Sequence, residues 1–194
     1  VGCTDGTILT INPADYSVGP TKTTIDTTEV LAVELYNDDA YIIAASTSGG
    51  NPRVHHIDLD TLQEQRSGFP TTLSYANVTD SAVVGSFIVV SQGSASLSKV
   101  DPISGGVTRD QNGPTAVQLS DVLPSDSGAN ALIAAGSGGV IRLLFATNET
   151  QFASGSSVSD VVALSAEGDR AWVADVGSGS LKSFTYTSGA ETIG

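Results

Sequence analysis

Apolar residues along this chain occur in short runs, some alternating with polar residues and some continuous. Clusters of Gly, Asp, Asn and Ser bound these runs, a pattern typical of β-strands and their turns. Long stretches with apolar residues at helical spacing are missing, so we predict a nearly all-β protein. The clearest predicted strands are VLAVELY (30–36), AYIIAAS (40–46), RVHHIDL (53–59), SFIVVS (86–91), ALIAAG (131–136) and AWVAD (171–175).

The predicted strands repeat at a regular interval. One marker is an apolar position in the strand after each Gly/Ser cluster; it recurs after 46, 43, 44 and 40 residues, at Ile11, Ile57, Val100, Leu144 and Phe184. A second marker is a valine preceded by a carboxylate or amide residue, in the pairs Glu29-Val30, Asn77-Val78, Asp121-Val122 and Asp160-Val161, and its intervals are 48, 44 and 39 residues. Both markers indicate a repeating unit of about 43 residues.

A unit of this length with four short strands matches one blade of a β-propeller. TDGTILTIN (4–12) resembles the passage from strand B to strand C of WD40-like blades, and AWVADVGSGSLKSFTYTSG (171–189) resembles that of YVTN and lactonase-type propellers. The Gly-His and Trp-Asp signatures of WD40 repeats are missing. The resemblance implies four-stranded antiparallel blades, labelled A to D outward, with strand A lining the axis.

We predict a single propeller domain over residues 1–194, with a partial blade at 1–24 and complete blades at about 25–68, 69–113, 114–154 and 155–194. The partial blade lacks strand A. Three explanations stay open: a five-bladed ring without one inner strand, a fragment of a ring of six to eight blades, or an edge completed by another chain. We favour the fragment, because an uncapped repeat array exposes unpaired strand edges.

Composition narrows the class of partner. The 21 acidic residues against 8 Lys and Arg give a net charge of -13, which disfavours nucleic acid and anionic membranes. No apolar run has the length of a transmembrane helix, and Cys3 as the single cysteine permits no intrachain disulfide. The N-glycosylation sequons at Asn77 and Asn148, together with scarce Lys and abundant Ser and Thr, favour an extracellular or cell-surface location.

The polar residues that open strand A form the main candidate site. If strand A lines the axis, then Glu29, Asn77, Asp121 and Asp160 converge at the channel mouth, where their oxygens could bind Ca²⁺. The alternative, which we favour, is that each side chain caps backbone N–H groups of its own turn. An axial Asn77 would be a poor glycan acceptor, which leaves Asn148 as the better one.

Other polar groups favour structural roles. His55 and His56 are neighbours in a strand, so they point to opposite faces and do not chelate one metal; one is expected to pack between blades and the other to face outward. Asp58 and Asp60 in HIDLDT, and Asp101 in DPISGG, have the chemistry of turns.

The Gly/Ser clusters SGGN (48–51), GSAS (93–96), GSGG (136–139) and GSGS (177–180) lack the Lys and the following helix of a phosphate-binding loop. We therefore place them in the turns between strands B and C. Trp172 is aligned with Tyr41, Phe87 and Leu132 and is expected to pack between blades.

We therefore expect a non-catalytic, extracellular propeller that serves as a structural or protein-interaction module, within a surface or filament assembly. A protein partner or a second copy would bind through an open blade edge or the top face, and we expect no cofactor other than Ca²⁺. One alternative is a lactonase-like hydrolase with Glu29, Asp121 and Asp160 as cation ligands that activate water. A second alternative is a carbohydrate-binding propeller.

Overall fold

The computed structural model describes residues 2–23, 28–46, 49–65, 67–74, 76–92, 96–110, 119–125, 130–135, 139–144, 149–152, 161–167, 170–175, 177–187 and 190–193. Within these ranges the regular elements are antiparallel β-strands. They are β1 (Thr7–Ile11), β2 (Val18–Thr23), β3 (Val30–Tyr36), β4 (Asp39–Ala44), β5 (Arg53–Asp58), β6 (Gln63–Gln65), β7 (Thr71–Thr72), β8 (Val78–Val84), β9 (Phe87–Gln92), β10 (Ser96–Val100), β11 (Val107–Asp110), β12 (Leu119–Ser125), β13 (Asn130–Ala135), β14 (Gly139–Leu144), β15 (Glu149–Phe152), β16 (Val161–Glu167), β17 (Arg170–Asp175), β18 (Ser180–Thr187) and β19 (Ala190–Ile193).

The strands form separate sheets in chain order. Four strands lie side by side in the orders β3-β4-β5-β6, β8-β9-β10-β11, β12-β13-β14-β15 and β16-β17-β18-β19, and β1 pairs with β2. The short β7 also belongs to the first of these sheets, where it pairs with the beginning of β5 and not with β6. The prediction of four-stranded antiparallel sheets, each built from consecutive strands, is confirmed.

A β-bulge recurs near the start of the first strand of every four-stranded sheet. At each bulge the pairing register skips one residue. In the four sheets, taken in chain order, the skipped residue is Leu31, Thr79, Ser120 and Val162. By this register Leu119, and not Val122, is the equivalent of Val30 and Val78. The sequence alignment of Asp121 with Glu29 is therefore shifted by three residues.

The contacts divide the chain into two compact units, and unit 1 contains Val1–Ala76 together with Asp101–Val107. Its core forms where β1 packs against the sheet β3-β4-β5-β6, with Ile8 against Ala40, Ile42 and Ile57. The run AYIIA is buried along its whole length, because each of its faces is covered. Continuous apolar runs of this kind are expected in strands that are covered on both sides.

Unit 2 contains Asn77–Val100 and Thr108–Gly194. Among its described residues, a buried core lies in β9, where Ile88, Val89 and Val90 have no solvent-exposed surface. The buried polar side chains beside them are paired, as Ser98 Oγ donates to Gln92 Oε1 at 2.7 Å. Pairing of this kind removes most of the free-energy cost of burying a polar group.

The aromatic alignment proposed for strand B is correct only in part. We aligned the second strands of the four sheets by the residue that pairs with the first strand just before its bulge. In this alignment the residues equivalent to Tyr41 are Val89, Leu132 and Trp172, and Phe87 lies two residues before Val89. Tyr41 and Val89 are buried, but Trp172 is 39% exposed. Trp172 therefore does not have the buried position that the sequence alignment predicts.

Among the residues with described positions, no helix is long and apolar enough to cross a membrane.

Candidate functional site

The described channel-mouth residues occupy two different settings. Glu29 and Asn77 are exposed and directly precede β3 and β8, whereas Asp121 lies inside β12 opposite Ala134. Asp160 lies outside the described residues. Glu29 belongs to unit 1, and Asn77 and Asp121 belong to unit 2.

Calcium binding by this set of residues stays a prediction. Among the residues that the structure describes, no three His, Cys, Asp or Glu side chains lie close enough together to hold a metal ion. Asn77 has a backbone φ of 65°, in the left-handed region that Asn tolerates better than most residues. A turn-forming role is thus sufficient to explain an amide residue at this position. The second sequon residue, Asn148, lies outside the described residues.

The two histidines point to opposite faces of the sheet, as predicted. His55 is fully buried and its Nδ1 is bonded to Glu64 Oε1. His56 stacks on the ring of Tyr41, with centroids 4.6 Å apart and an interplanar angle of 14°. Its side chain is only 16% exposed, so the expectation that one histidine faces outward is wrong.

The His56 Nε2 atom lies 2.9 Å from Asp39 Oδ2. The orientation of the two groups does not satisfy hydrogen-bond geometry, and Nε2 makes no hydrogen bond although it is buried. The contact between His56 and Asp39 is therefore not a hydrogen bond, and the His56 ring is held in place mainly by its aromatic neighbours. Besides Tyr41, these include Phe69, whose centroid is 5.3 Å from that of His56.

Tyr41 links the sheet of unit 1 to the turn Asp101–Gly106 of the same unit. Its hydroxyl donates to Pro102 O at 3.0 Å, and the residue is 2% exposed. Burial, followed by the negative charge of Asp39, raises the pKa of Tyr41 to about 12. Tyr41 is thus neutral at ordinary pH, which suits a structural hydrogen-bond donor and does not suit a general base.

Several turn aspartates bond to their own turns, as predicted for Asp58 and Asp101. Thr61 N donates to Asp58 Oδ1 at 2.8 Å, and Ile103 N donates to Asp101 Oδ1 at 2.8 Å. These backbone hydrogen bonds are the largest cause of lowered pKa values for Asp58 and Asp101. In Asp15 the hydrogen bonds from Ser17 lower the pKa in the same way. The carboxylates stay ionised and are held in fixed orientations.

Two of the Gly/Ser clusters lie between antiparallel strands, as predicted: residues 49–51 between β4 and β5, and residues 177–179 between β17 and β18. Residues 93–95 and 136–138 of the other two clusters lie outside the described residues. The last cluster carries polar contacts that sequence reasoning missed. Asp175 is 1% exposed, and its Oδ2 accepts from Ser178 Oγ at 2.6 Å and from Lys182 Nζ at 2.7 Å. The sequence signal for these contacts was an Asp at the end of one strand and a Lys two residues after the start of the next strand. This ion pair compensates a buried carboxylate.

One end of unit 1 gathers the turns of several strand pairs. Tyr36, Asp39 and Asp58 lie in one row of the sheet, so the β3–β4 and β5–β6 turns leave it at the same end. At the opposite end Val30 N donates to Cys3 O at 2.9 Å. Since β1 begins beside β3 and packs along the sheet, the β1–β2 turn also lies toward this end.

Large apolar side chains are exposed in the β1–β2 hairpin, and sequence reasoning missed them as a group. Ile11 and Val18 are direct partners across this hairpin, and Tyr16 lies in its turn. We call these three residues the turn surface; Ile11, Tyr16 and Val18 are exposed by 43%, 81% and 62%. Ile103, in the Asp101–Gly106 turn, is 86% exposed but does not belong to this surface, because that turn contacts Tyr41 on the sheet face opposite to the one that packs against β1. The available signal was an apolar residue inside a turn motif, as in DPISGG.

No protein-family model matches the chain, and no protein of curated function matches its sequence. Solved structures do resemble it. A chain in the crystal structure of the mitotic checkpoint complex superimposes with a TM-score of 0.78 and 15% identity, over 100% of this chain and 59% of that one. The computationally designed Ika8 protein gives 0.71 and 16%, over 95% and 54%. BamB from Moraxella catarrhalis gives 0.69 and 13%, over 96% and 54%.

These likenesses, together with the four-stranded antiparallel sheets, show that the chain has a β-propeller fold. At such low identity they show the fold and nothing further. The chain spans between 54% and 59% of the length of the solved chains that it matches.

Proposed function

We propose that this protein is a non-catalytic, extracellular β-propeller module that binds another protein through the turn surface of unit 1. The exposure of Tyr16 and Val18, at 81% and 62%, carries this proposal. Single exposed apolar residues are common on proteins, but several in one hairpin mark an interaction surface. Interfaces are also enriched in Tyr.

The polar groups of unit 1 support a binding role over a catalytic one. The Asp58 and Asp101 carboxylates hold their own turns, Tyr41 donates to a backbone carbonyl, and His55 is paired with Glu64. Each of these potentially reactive groups already serves the fold. The extracellular location is supported by the sequons and by the scarcity of Lys.

A selection experiment tests the binding role. Random 12-residue peptides displayed on phage are selected on the immobilised protein at physiological salt. We expect the selected clones to lose about tenfold or more in affinity for a Tyr16→Ser/Val18→Ser variant, because anchor residues carry much of an interface's binding energy. They should keep their affinity for Leu181→Ser, which changes a side chain of unit 2 that is 68% exposed.

Equal binding of the clones to the wild type and to the Tyr16→Ser/Val18→Ser variant would contradict the proposal. A second assay addresses catalysis. Turnover of lactone or ester substrates in the presence of Ca²⁺, lost on Glu29→Gln, would instead favour the hydrolase alternative.

A further inference from the structure

We infer that one face of the sheet β16-β17-β18-β19 is a self-association surface, which binds the same face of a second copy of this chain. This inference is independent of the proposed function, because the sheet belongs to unit 2 and the turn surface belongs to unit 1. It rests on the exposure of Trp172 and Leu181 and on the burial of the equivalent residues in two other sheets.

The register of β17 and β18 places four uncharged residues on one face of their sheet. Trp172 is paired with Ser183, and Ala174 is paired with Leu181. Directly paired residues share a face, as do residues two apart on one strand. Trp172 and Leu181 are diagonal neighbours, about 7 to 8 Å apart and within reach of large side chains. We call these four residues the Trp172 face.

The two faces of this sheet differ in exposure. Trp172 is 39% exposed and Leu181 is 68% exposed. Asp175 and Lys182 lie on the opposite face, because side chains alternate along a strand. Asp175 is 1% exposed and pairs with Lys182, so that opposite face is packed against the protein. The Trp172 face is the exposed side of the sheet.

The residues equivalent to Trp172 and Leu181 are buried in the sheets β3-β4-β5-β6 and β8-β9-β10-β11. The pairing registers align Trp172 with one residue of each second strand and Leu181 with one residue of each third strand. These equivalents are Tyr41, Val89, Val54 and Leu97. None of the four is more than 3% exposed. A position that is buried in two sheets is therefore exposed in this one.

Neighbouring sheets of the same chain cover faces of this kind. The Tyr41 hydroxyl donates to Pro102 O, in the turn that connects β10 and β11. In unit 2, β12 packs against β8 and β9, and β16 packs against β12 and β13. Sheets of this chain thus fit against other sheets of the same construction, and a second copy supplies one.

Charge favours this face as the contact between two copies. The net charge of -13 makes two copies repel each other. The four residues of the Trp172 face carry no charge, so two copies that meet here bury apolar groups without bringing like charges into contact. A twofold dimer uses the same patch on both subunits, with Trp172 of one copy against Leu181 of the other.

The size of the face sets the expected affinity. Four strands of about six residues cover roughly 20 by 20 Å. This is about half of the roughly 800 Å² per partner that a stable interface buries. We therefore expect a reversible dimer with a dissociation constant on the order of 10 to 100 µM.

Sedimentation velocity and Trp fluorescence of the whole chain test the inference. Both are measured from 1 to 300 µM protein, and Trp172 is the single Trp of the chain, so its emission reports on this face. We expect dimer to form as the concentration rises, with a shift of the emission to shorter wavelengths. Acrylamide quenching of Trp172 should fall about twofold, because interface burial shields an aromatic ring from solvent.

A matched pair of variants locates the contact. Leu181→Lys should weaken the dimer by about tenfold or more, because it places a charge in the centre of an apolar contact. Ile103→Lys makes the same chemical change at a residue of unit 1 that is 86% exposed, and it should leave the dimer unchanged. Raising NaCl from 50 to 300 mM should strengthen the dimer, because salt screens the repulsion between the copies.

Several results would overturn the inference. These are a monomer at every concentration, a dimer that Leu181→Lys does not weaken, and assemblies larger than a dimer, which a closed twofold contact does not build. A monomer whose Trp172 emission shifts only with phosphatidylcholine vesicles would replace the second copy with a lipid surface. Binding of the selected phage clones is measured separately at the turn surface, so failure of either proposal leaves the other in place.

Discussion

At the scale of single residues, two glycines decide how closely two backbone segments of unit 1 approach. Gly68 and Gly105 both have left-handed backbones, with φ of 76° and 70°. A Cβ on Gly68 would lie 2.1 Å from Ser104 O, and one on Gly105 would lie 2.1 Å from Gly68 O. Both contacts are with backbone, which cannot move aside as a flexible side chain can.

We predict that Gly68→Ala lowers the free energy of unfolding by about 3 kcal/mol, since it adds a steric clash to a strained backbone. Gly49→Ala is the matched control. Gly49 has a φ of 71°, but a Cβ there would meet no atom within 4 Å, so only the backbone cost of about 1 kcal/mol remains. Urea denaturation of the wild type and the two variants measures both changes in the free energy of unfolding. Equal losses would show that the approach of the two segments is looser than described.

At the scale of elements, Tyr41 fastens β4 to the turn Asp101–Gly106. The hydrogen bond from Tyr41 to Pro102 O and the edge contact with Phe69, at 5.9 Å between centroids, join segments that are far apart in sequence. The hydroxyl donates its proton in the folded state. The ionised form would lose this bond and lie buried near the charge of Asp39.

This arrangement predicts a loss of stability at high pH. The pKa of Tyr41 is about 12 in the folded protein and about 10 in an unfolded chain. Above pH 10 the unfolded chain therefore releases the proton first, and the stability contributed below pH 10 falls between pH 10 and 12. The full loss is about 2 to 3 kcal/mol.

Urea midpoints between pH 8 and pH 11.5 check this prediction. Tyr41→Phe is the control, because it keeps the ring and all other titrating groups and removes only this hydroxyl. The variant should be less stable at pH 8, and its stability should fall less steeply above pH 10. Parallel pH profiles for the two proteins would contradict the assigned pKa.

At the scale of the whole molecule, the acidic surface and the two sequons bear on where the protein works. The sequon at Asn77 leads directly into β8, where Val78 is paired with Gln92 and Thr79 Oγ1 lies 2.9 Å from Ser91 Oγ. The backbone and hydroxyl of that sequon are thus engaged in the sheet. Asn148 of the second sequon lies outside the described residues.

We predict that the chain, secreted from a eukaryotic host, carries an N-linked glycan on Asn148 and little or none on Asn77. Intact mass before and after enzymatic removal of N-glycans measures this. Asn148→Gln should abolish the mass change, and Asn77→Gln should leave it intact. A secreted chain without any glycan would remove the sequons as support for an extracellular location.

Much of the fold could be predicted from the sequence because local patterns decide it. The run VLAVELY matches β3 residue for residue, and AYIIAAS, SFIVVS and AWVAD match their strands within one or two residues. Glycine and aspartate clusters mark the turns, since they satisfy backbone groups locally. The repeat of about 43 residues then leads to the propeller.

Registers and exposures could not be predicted in the same way. The skipped residue in each first strand moves the equivalent position from Val122 to Leu119, and no local signal in the sequence marks it. Trp172 has the composition of a core residue and yet is 39% exposed. Which face of a strand is covered depends on the neighbouring sheet, which a strand's own residues do not specify.

The sequence by itself determined the all-β class, the order of strands within each sheet, the turn chemistry of Asp58 and Asp101, and the surplus of negative charge. These follow from local backbone preferences and from composition. Only the tertiary structure decided that Asp175 pairs with Lys182, that Tyr41 reaches Pro102, and that Tyr16 and Val18 are exposed on the turn surface. The physical reason is that contacts between distant segments depend on the packing of whole sheets.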